Sequence, residues 1–119
     1  MTPEEITCIV CNVLGVSVDD VLQKTHKDRA DRVVIARFAS ISLCRSKTTL
    51  TLNAIAEFFG LKNHATVINS VDACSNMVDT NRTFAGLFEM ATRLVDSSDF
   101  ERLQQIEFYP FIYSVDTYE

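Results

Sequence analysis

The sequence predicts an all-α fold, a helical bundle that contains a helix-turn-helix, on the basis of three observations. Apolar residues make up 47% of the 119 residues, and there are only three Gly and two Pro, a balance typical of one compact, mostly helical domain. Apolar residues recur at spacings of three and four along most of the chain, as on one face of a helix. Two such runs meet at a single glycine in the stretch TLNAIAEFFGLKNHATVIN, residues 51–69.

The first two predicted helices lie near the N-terminus. Thr2 is a suitable N-cap, Pro3 suits the first helical position, and Gly15 is expected to end the first helix. A short second helix is predicted at SVDDVLQK, where Ser17 and Asp20 have the spacing of a capping box. A polar, basic connector, KTHKDRAD, follows it.

A longer helix is predicted from Asp31 to about Lys47. The β-branched residues at 33–35 make a strand conceivable there, but the length of the segment and its later spacing favour a helix. SKTTLT then breaks the pattern. Thr51 is the predicted N-cap of the next helix, LNAIAEFFG, and Gly60 is its predicted left-handed terminator.

The C-terminal half predicts further helices. One runs from about Ala65 to Met77, with these side chains expected inward: Val67, Ile68, Val71, Ala73 and Cys74. NRTFAGLFEMATRLVD indicates another amphipathic helix, SSDFERLQQIEF indicates a capped restart, and FYPFIYSVDTYE is aromatic without periodicity. We therefore divide the chain into a helix-turn-helix domain at 1–78 and an acidic, helical and aromatic extension packed on it at 79–119.

Several classes of function have no support in the sequence. No run approaches the roughly 18 apolar residues of a membrane span, and the N-terminus lacks the basic segment of a signal peptide, so we expect a cytoplasmic protein with no membrane partner. The phosphate-binding motif G-x-x-x-x-G-K-[ST] is absent, so we expect no nucleotide and no other cofactor. We see neither paired carboxylates nor a nucleophile with its base, and predict that the chain is not an enzyme.

The four cysteines are predicted to be reduced structural thiols. Cys8 and Cys11 form a C-x-x-C, but no second pair follows at zinc spacing. Cys8, Cys11 and Leu14 follow one another at intervals of three and would share a helix face. Core packing is therefore favoured over zinc binding or redox chemistry.

Charge is distributed unevenly along the chain. The net charge is −5, yet residues 24–64 contain eight Lys or Arg against three acidic residues, whereas residues 79–119 contain three basic and eight acidic ones. A basic middle is compatible with binding to DNA, although it is equally typical of a solvated face, and the whole-molecule charge opposes long-range attraction of an anion.

The polar cluster KNHAT begins the second helix of the helix-turn-helix, where side chains enter the major groove in proteins of this type. Lys62 suits a phosphate contact, and Asn63 suits either pairing with adenine or capping of the helix. His64 suits a base acceptor or a phosphate, and Thr66 a phosphate or a thymine methyl group.

The segment IARFASISLCRSKTTLTLNAIAEFFGLKNHATVINSV resembles the C-terminal DNA-binding domain of the bacterial replication initiator DnaA, whose hallmark is an FGG-R-DHTTV-like run. FGLKNHATV stands at 59–67, and the resemblance covers about residues 4–78. It implies an all-α helix-turn-helix that binds double-stranded DNA in replication initiation or its regulation. Because the nucleotide-binding motif is missing, we expect a free-standing domain of this type.

The resemblance also implies roles for particular residues. Arg29, with Lys27 in the same basic connector, corresponds to the loop that sends an arginine into the minor groove. Arg37 corresponds to an arginine that contacts a base or the DNA backbone, although a buried ion pair with Asp20 or Glu57 is an equal alternative for it. The contacts of the recognition helix and the turn before it fall on Lys62, Asn63, His64, Ala65 and Thr66. This sequence departs from the family pattern at Phe38, Leu61, Asn63 and Ala65.

Two hypotheses of different class follow. The first is a duplex DNA-binding module. The second is a protein-interaction module that keeps the DnaA-like scaffold but has lost DNA binding, with a protein partner engaged through the acidic C-terminal extension. The second is motivated by the charge of −5 and by the departures at Asn63 and Ala65.

Overall fold

A computed structural model describes residues 1–22 and 31–97, and these residues form six helices. They are α1 (Pro3–Leu14), α2 (Val18–Leu22), α3 (Asp31–Lys47), α4 (Leu52–Phe58), α5 (His64–Thr80) and α6 (Arg82–Asp96). The described part of the chain contains no strand, so the all-α prediction is confirmed, and residues 33–35 are helical. The helix and aromatic tail expected between residues 98 and 119 lie outside the described residues.

Helix α3 lies at the centre of the bundle, in contact with all five other helices. Small residues help to make this possible, because Ala36, Ala39 and Ser40 are fully or almost fully buried and let neighbouring helices approach closely. Ile41 and Leu43 are buried beside them on different sides of the helix. A helix surrounded by others has no single apolar stripe, and for this reason the pattern of α3 resembles no simple amphipathic helix.

The ends of α1 follow the local sequence. The Thr2 hydroxyl oxygen accepts a hydrogen bond from the Glu5 N–H at 3.1 Å, and the Glu5 carboxylate accepts one from the Thr2 N–H at 3.0 Å. This reciprocal capping box satisfies two N–H groups that the helix itself cannot pair. At the other end Gly15 adopts a left-handed conformation, with φ 74°, and its N–H donates to the Cys11 carbonyl. The predicted start and stop of α1 are both confirmed.

Helix α6 contributes to the same core as the other helices. Asn81 ends α5 and caps α6, since its side chain accepts from the Phe84 N–H at 2.9 Å. Phe84 and Val95 are buried, and α6 packs against α1, α3 and α5. An ion pair of 2.9 Å between Lys47 and Asp96 joins the end of α3 to the end of α6. The division proposed at residue 78 falls inside α5, and it stays a prediction.

No helix in the described ranges is both long enough and apolar enough to cross a membrane.

Candidate nucleic-acid interface

The turn between α4 and α5 is a Schellman motif centred on Gly60. Gly60 has φ 72°, and its N–H donates to the Glu57 carbonyl at 3.2 Å. The next N–H, that of Leu61, donates to the Ala56 carbonyl at 2.8 Å. These two bonds satisfy carbonyl groups at the end of α4 and reverse the chain within a few residues. The predicted left-handed terminator is confirmed.

The Leu61 side chain gives this turn an apolar anchor. Leu61 is half-buried and packs against the core, as the residue after the left-handed position often does in a Schellman motif. A glycine at position 61 could not make this contact. The departure from the family pattern at Leu61 therefore adds packing to the turn.

Shared burial holds the two helices of the motif together. Thr51 caps α4 as predicted, because its hydroxyl oxygen accepts from the Ala54 N–H at 3.0 Å. Ile55 and Phe59 of α4 and Val67 of α5 are all buried in one core. The angle between α4 and α5 is thus set by packed apolar side chains as well as by the turn.

Asn63 is the N-cap of α5. Its side-chain oxygen accepts two hydrogen bonds, from the Ala65 N–H at 3.0 Å and from the Thr66 N–H at 3.3 Å. The capping alternative for this residue is therefore confirmed. Both bonds use the same oxygen, so the Asn63 side-chain NH₂ group stays available as a donor.

The predicted residues of the turn and of the first turn of α5 come together at one end of that helix. Lys62, Asn63, His64 and Ala65 are exposed, and Thr66 is half-buried. The backbone N–H groups at this end carry the partial positive charge of the helix dipole, which favours an anion nearby. The arrangement offers a cation, an imidazole, a methyl group and an amide donor on one surface.

Of the other three predicted site residues, the structure describes Arg37. Lys27 and Arg29 lie outside the described residues. Arg37 is half-buried, and its guanidinium donates to the Val21 carbonyl oxygen through Nε at 3.0 Å and Nη2 at 2.8 Å. These bonds run to a backbone carbonyl at the end of α2, an arrangement that neither sequence-based alternative for Arg37 anticipated.

Comparison with known proteins agrees with this geometry. The sequence profile described as "Bacterial dnaA protein helix-turn-helix" matches residues 3–73. The chain belongs to the bacterial DnaA helix-turn-helix family. The matched residues contain all of α4, the turn, and α5 as far as Ala73.

Curated relatives of the chain are named "Chromosomal replication initiator protein DnaA". The protein from Porphyromonas gingivalis is 32% identical over 90 residues, covering 76% of this chain and 19% of that protein. The protein from Nostoc punctiforme is 36% identical over 84 residues, covering 71% and 18%. The protein from Spiroplasma citri is 28% identical over 96 residues, covering 81% and 21%. The chain thus spans about a fifth of the length of these DnaA proteins.

The structure adds two residues to the exposed surface of α5. Ile68 was expected inward because it is apolar, and that expectation is wrong: its side chain is 45% exposed. Asn69 beside it is also exposed. Both follow Ala65 by one helical turn, and residues three and four apart share a helix face. From this spacing, the sequence could have predicted that both residues share the exposed face with Ala65, but the apolar character of Ile68 suggested burial.

Among the described residues, fewer unpaired basic side chains lie near the α4–α5 motif than the sequence count suggests. Lys47 is paired with Asp96, and α5 itself contains no Lys or Arg. Lys62 is exposed immediately before α5. Within α5 and the turn before it, positive charge therefore comes from Lys62 and the helix N-terminus rather than from the helix side chains.

The cysteines are free thiols without the setting of a reactive site. Burial raises the pKa of Cys11 and of Cys44 to about 12, and it raises the pKa of Cys8 and Cys74 as well. Cys11, Cys44 and Cys74 are buried as predicted, whereas Cys8 is only half-buried. Among residues 1–22 and 31–97, no three His, Cys, Asp or Glu side chains are grouped so that they could hold a metal ion.

Proposed function

We propose that this chain binds double-stranded DNA, in replication initiation or its regulation, with the first turns of α5 in the major groove. The basic connector, with Lys27 and Arg29, would lie at the minor groove or the phosphates. The observation that supports this most is the exposure of His64 and Ala65 at the N-terminus of a helix whose opposite face is anchored in the core. Membership of the DnaA helix-turn-helix family supports it independently.

Each exposed group suits a particular part of a duplex. Lys62 precedes the helix and suits a phosphate, as do the N–H groups of the first turn. His64 suits a base acceptor such as guanine N7 or a phosphate. The Ala65 and Ile68 side chains suit the methyl group of thymine, the one apolar feature of the major groove. Thr66, half-buried, suits a contact at the edge of the site.

The cap formed by Asn63 restricts how it would contact DNA. Bidentate pairing with adenine needs the amide oxygen to accept from the base, but that oxygen already accepts two backbone N–H groups. Giving up the cap would cost about 1 kcal/mol. We therefore assign Asn63 a donor role, in which its NH₂ group contacts a base acceptor or a phosphate while the cap stays in place.

Arg37 is proposed to support DNA binding by stabilising the scaffold, in addition to any direct contact that it makes with DNA. Its two bonds to the Val21 carbonyl hold the end of α2 against α3. This fastening also holds Leu22, the last described residue before the basic connector. A substitution at Arg37 would change DNA binding through loss of this fastening.

A protein-interaction module is the second candidate. It is favoured by one observation, the absence of Lys and Arg from α5, because a recognition helix without basic residues neutralises few phosphates. The exposed Ile68 side chain would suit a protein partner as well as it suits a thymine.

The deciding experiment is fluorescence anisotropy of the full chain with a labelled pool of random 20-base-pair duplexes at about 50 and 200 mM salt. We expect binding that weakens steeply with salt. Lys62→Ala should reduce the slope of log affinity against log salt by about 0.9, the value for one phosphate contact. The matched control, Arg82→Ala, removes an exposed cation at the start of α6 and should leave the slope unchanged.

Base preference is tested separately by site selection with the parent chain and with His64→Ala. We expect the variant to fold normally and to lose part of the preference. If His64→Ala alters neither affinity nor preference, the recognition-helix assignment is wrong. No binding of the parent chain to any duplex at low salt would favour the protein-interaction module.

A further inference from the structure

The exposed face of α5 carries a carboxylate near its middle. Ala65, Ile68, Asn69 and Asp72 are all exposed, and they follow one another at intervals of three and four, so they lie along one stripe of the helix. Asp72 follows Ala65 by seven residues. It therefore stands about 10 Å further along the helix axis, a distance close to the width of the major groove.

Among the described residues, Asp72 forms no ion pair and caps no helix end. It takes part in neither of the ion pairs formed within residues 1–22 and 31–97, which join Lys47 to Asp96 and Arg93 to Glu89. It lies in the middle of α5, beyond the first turn where the helix dipole favours an acidic residue. Aspartate is also among the weaker helix formers at such a position.

We infer that Asp72 determines specificity by opposing phosphate contacts along the body of the recognition helix. The inference rests on the proposed function. When only the first turns of α5 enter the groove, the carboxylate stays clear of the DNA backbone. When the helix tips so that its next two turns, but not its C-terminal end, also approach a duplex, the carboxylate faces a phosphate and the complex is weakened. Asp72 thus lowers affinity for non-cognate duplexes more than affinity for the cognate site.

Charge and geometry together support this role. The stripe has no basic residue that would compensate the carboxylate, because α5 contains no Lys or Arg. Asp79 lies seven residues beyond Asp72 on nearly the same stripe and is also exposed. It is about 20 Å from Ala65 along the axis, more than two screening lengths at physiological salt. Asp79 is therefore a matched control with the same charge, helix and exposure.

The test begins with a duplex selected by the parent chain from a random library and a scrambled duplex of the same composition. Asp72→Asn should bind the scrambled duplex about threefold more tightly, as expected for removing one charge roughly 6 Å from a phosphate in water. Its affinity for the selected duplex should change less, so the ratio of the two affinities should fall. Asp79→Asn should change either affinity by less than about 1.5-fold, because its charge is screened.

Asp72→Lys extends the test by placing a cation where the carboxylate stood. It should increase the salt slope on the scrambled duplex by about 0.9, the value for one added phosphate contact. Thermal unfolding of each variant shows whether it is folded. Equal effects of Asp72→Asn and Asp79→Asn would mean that only net charge matters and would overturn the inference.

Two further outcomes separate the inference from the function on which it rests. Asp72→Asn could bind the selected duplex more weakly while its affinity for the scrambled duplex stays unchanged. This result would show that the carboxylate accepts a hydrogen bond from a base, such as cytosine N4, and would overturn the repulsive role. If the parent chain selects no duplex at all, the proposed function fails together with the inference. If the parent chain selects a duplex but Asp72→Asn binds both duplexes with the affinities of the parent, the inference is overturned and the proposed function stands.

Discussion

The Arg37 guanidinium of α3 donates two hydrogen bonds to the Val21 carbonyl oxygen of α2, through Nε at 3.0 Å and Nη2 at 2.8 Å. The two residues are sixteen positions apart. The last carbonyl groups of a helix have no partner within it, so Arg37 satisfies one of them with a charged donor. The short helix α2 is thereby fastened to the central helix of the bundle.

Replacing Arg37 by Ala should lower the free energy of unfolding by about 2 kcal/mol. Hydrogen bonds from a charged group contribute more than neutral ones, and the buried carbonyl of Val21 would lose these donors. Urea denaturation followed by circular dichroism measures the change. Arg45→Ala, an exposed arginine on the same helix, is the matched control and should change stability by less than about 0.5 kcal/mol. Equal effects of the two substitutions would contradict a structural role for Arg37.

Substitutions of Asn63 should separate its capping role from its role toward DNA. Asn63→Ala should lower stability by about 1 kcal/mol because α5 loses its N-cap. Asn63→Asp should keep the cap, and its charge is favourable at a helix N-terminus. The same substitution removes the NH₂ donor and places a negative charge at the surface proposed to meet phosphates, so duplex affinity should fall.

Unfolding curves and anisotropy on the same samples of the Asn63 variants check both parts, with Asn69→Ala as a control for stability. An Asn63→Asp variant that binds DNA as tightly as the parent would rule out the donor role.

Alanine substitutions at two glycines should have opposite effects. Gly60 has φ 72°, where a Cβ atom costs about 1–2 kcal/mol, so Gly60→Ala should be destabilising and should weaken DNA binding by tilting α5. Gly86 lies within α6, and a Cβ built there meets no atom within 4 Å. Gly86→Ala should therefore raise stability by up to about 1 kcal/mol. Thermal unfolding of the two variants is the measurement. Stabilisation by Gly60→Ala would mean that the turn is not the Schellman motif described.

Thiol labelling should distinguish the cysteines. Burial raises the pKa of Cys11 and of Cys44 to about 12. A raised pKa keeps a thiol protonated to higher pH, and only the thiolate reacts, so at pH 8 both should react with iodoacetamide far more slowly than in urea. Half-buried Cys8 should react first. Mass spectrometry of samples taken over time gives the order. Labelling of Cys11 in the native protein as fast as in urea would contradict its burial.

Local signals in the sequence predicted much of the fold. The caps at Thr2 and Thr51 and the left-handed glycines at 15 and 60 depend on residues within one helical turn, so they could be recognised without knowledge of the rest of the chain. The bounds of α3 were also predicted from the sequence, since the helix begins at Asp31 and ends at Lys47 as expected. Placement of an apolar side chain was less predictable, and Ile68 is the example.

Ile68 shows why the candidate site was only partly predictable. Val67 and Ile68 are similar in character, yet Val67 is fully buried and Ile68 is 45% exposed. Which of them faces inward depends on where α3 and α4 pack against α5, and no local pattern contains that information. Asp72 was missed for a related reason, because its position on the exposed stripe has meaning only once that stripe is known.

Local sequence signals were enough to predict the all-α class, the helix-turn-helix and most helix ends, because caps, terminators and periodicity act over three or four residues. Tertiary structure alone decided three things. It directed Arg37 to the Val21 carbonyl, it made α6 part of the central core, and it left Ile68 on the outer face of α5. Each depends on contacts between residues far apart in the chain, whose geometry is set by the joint packing of all six described helices around α3.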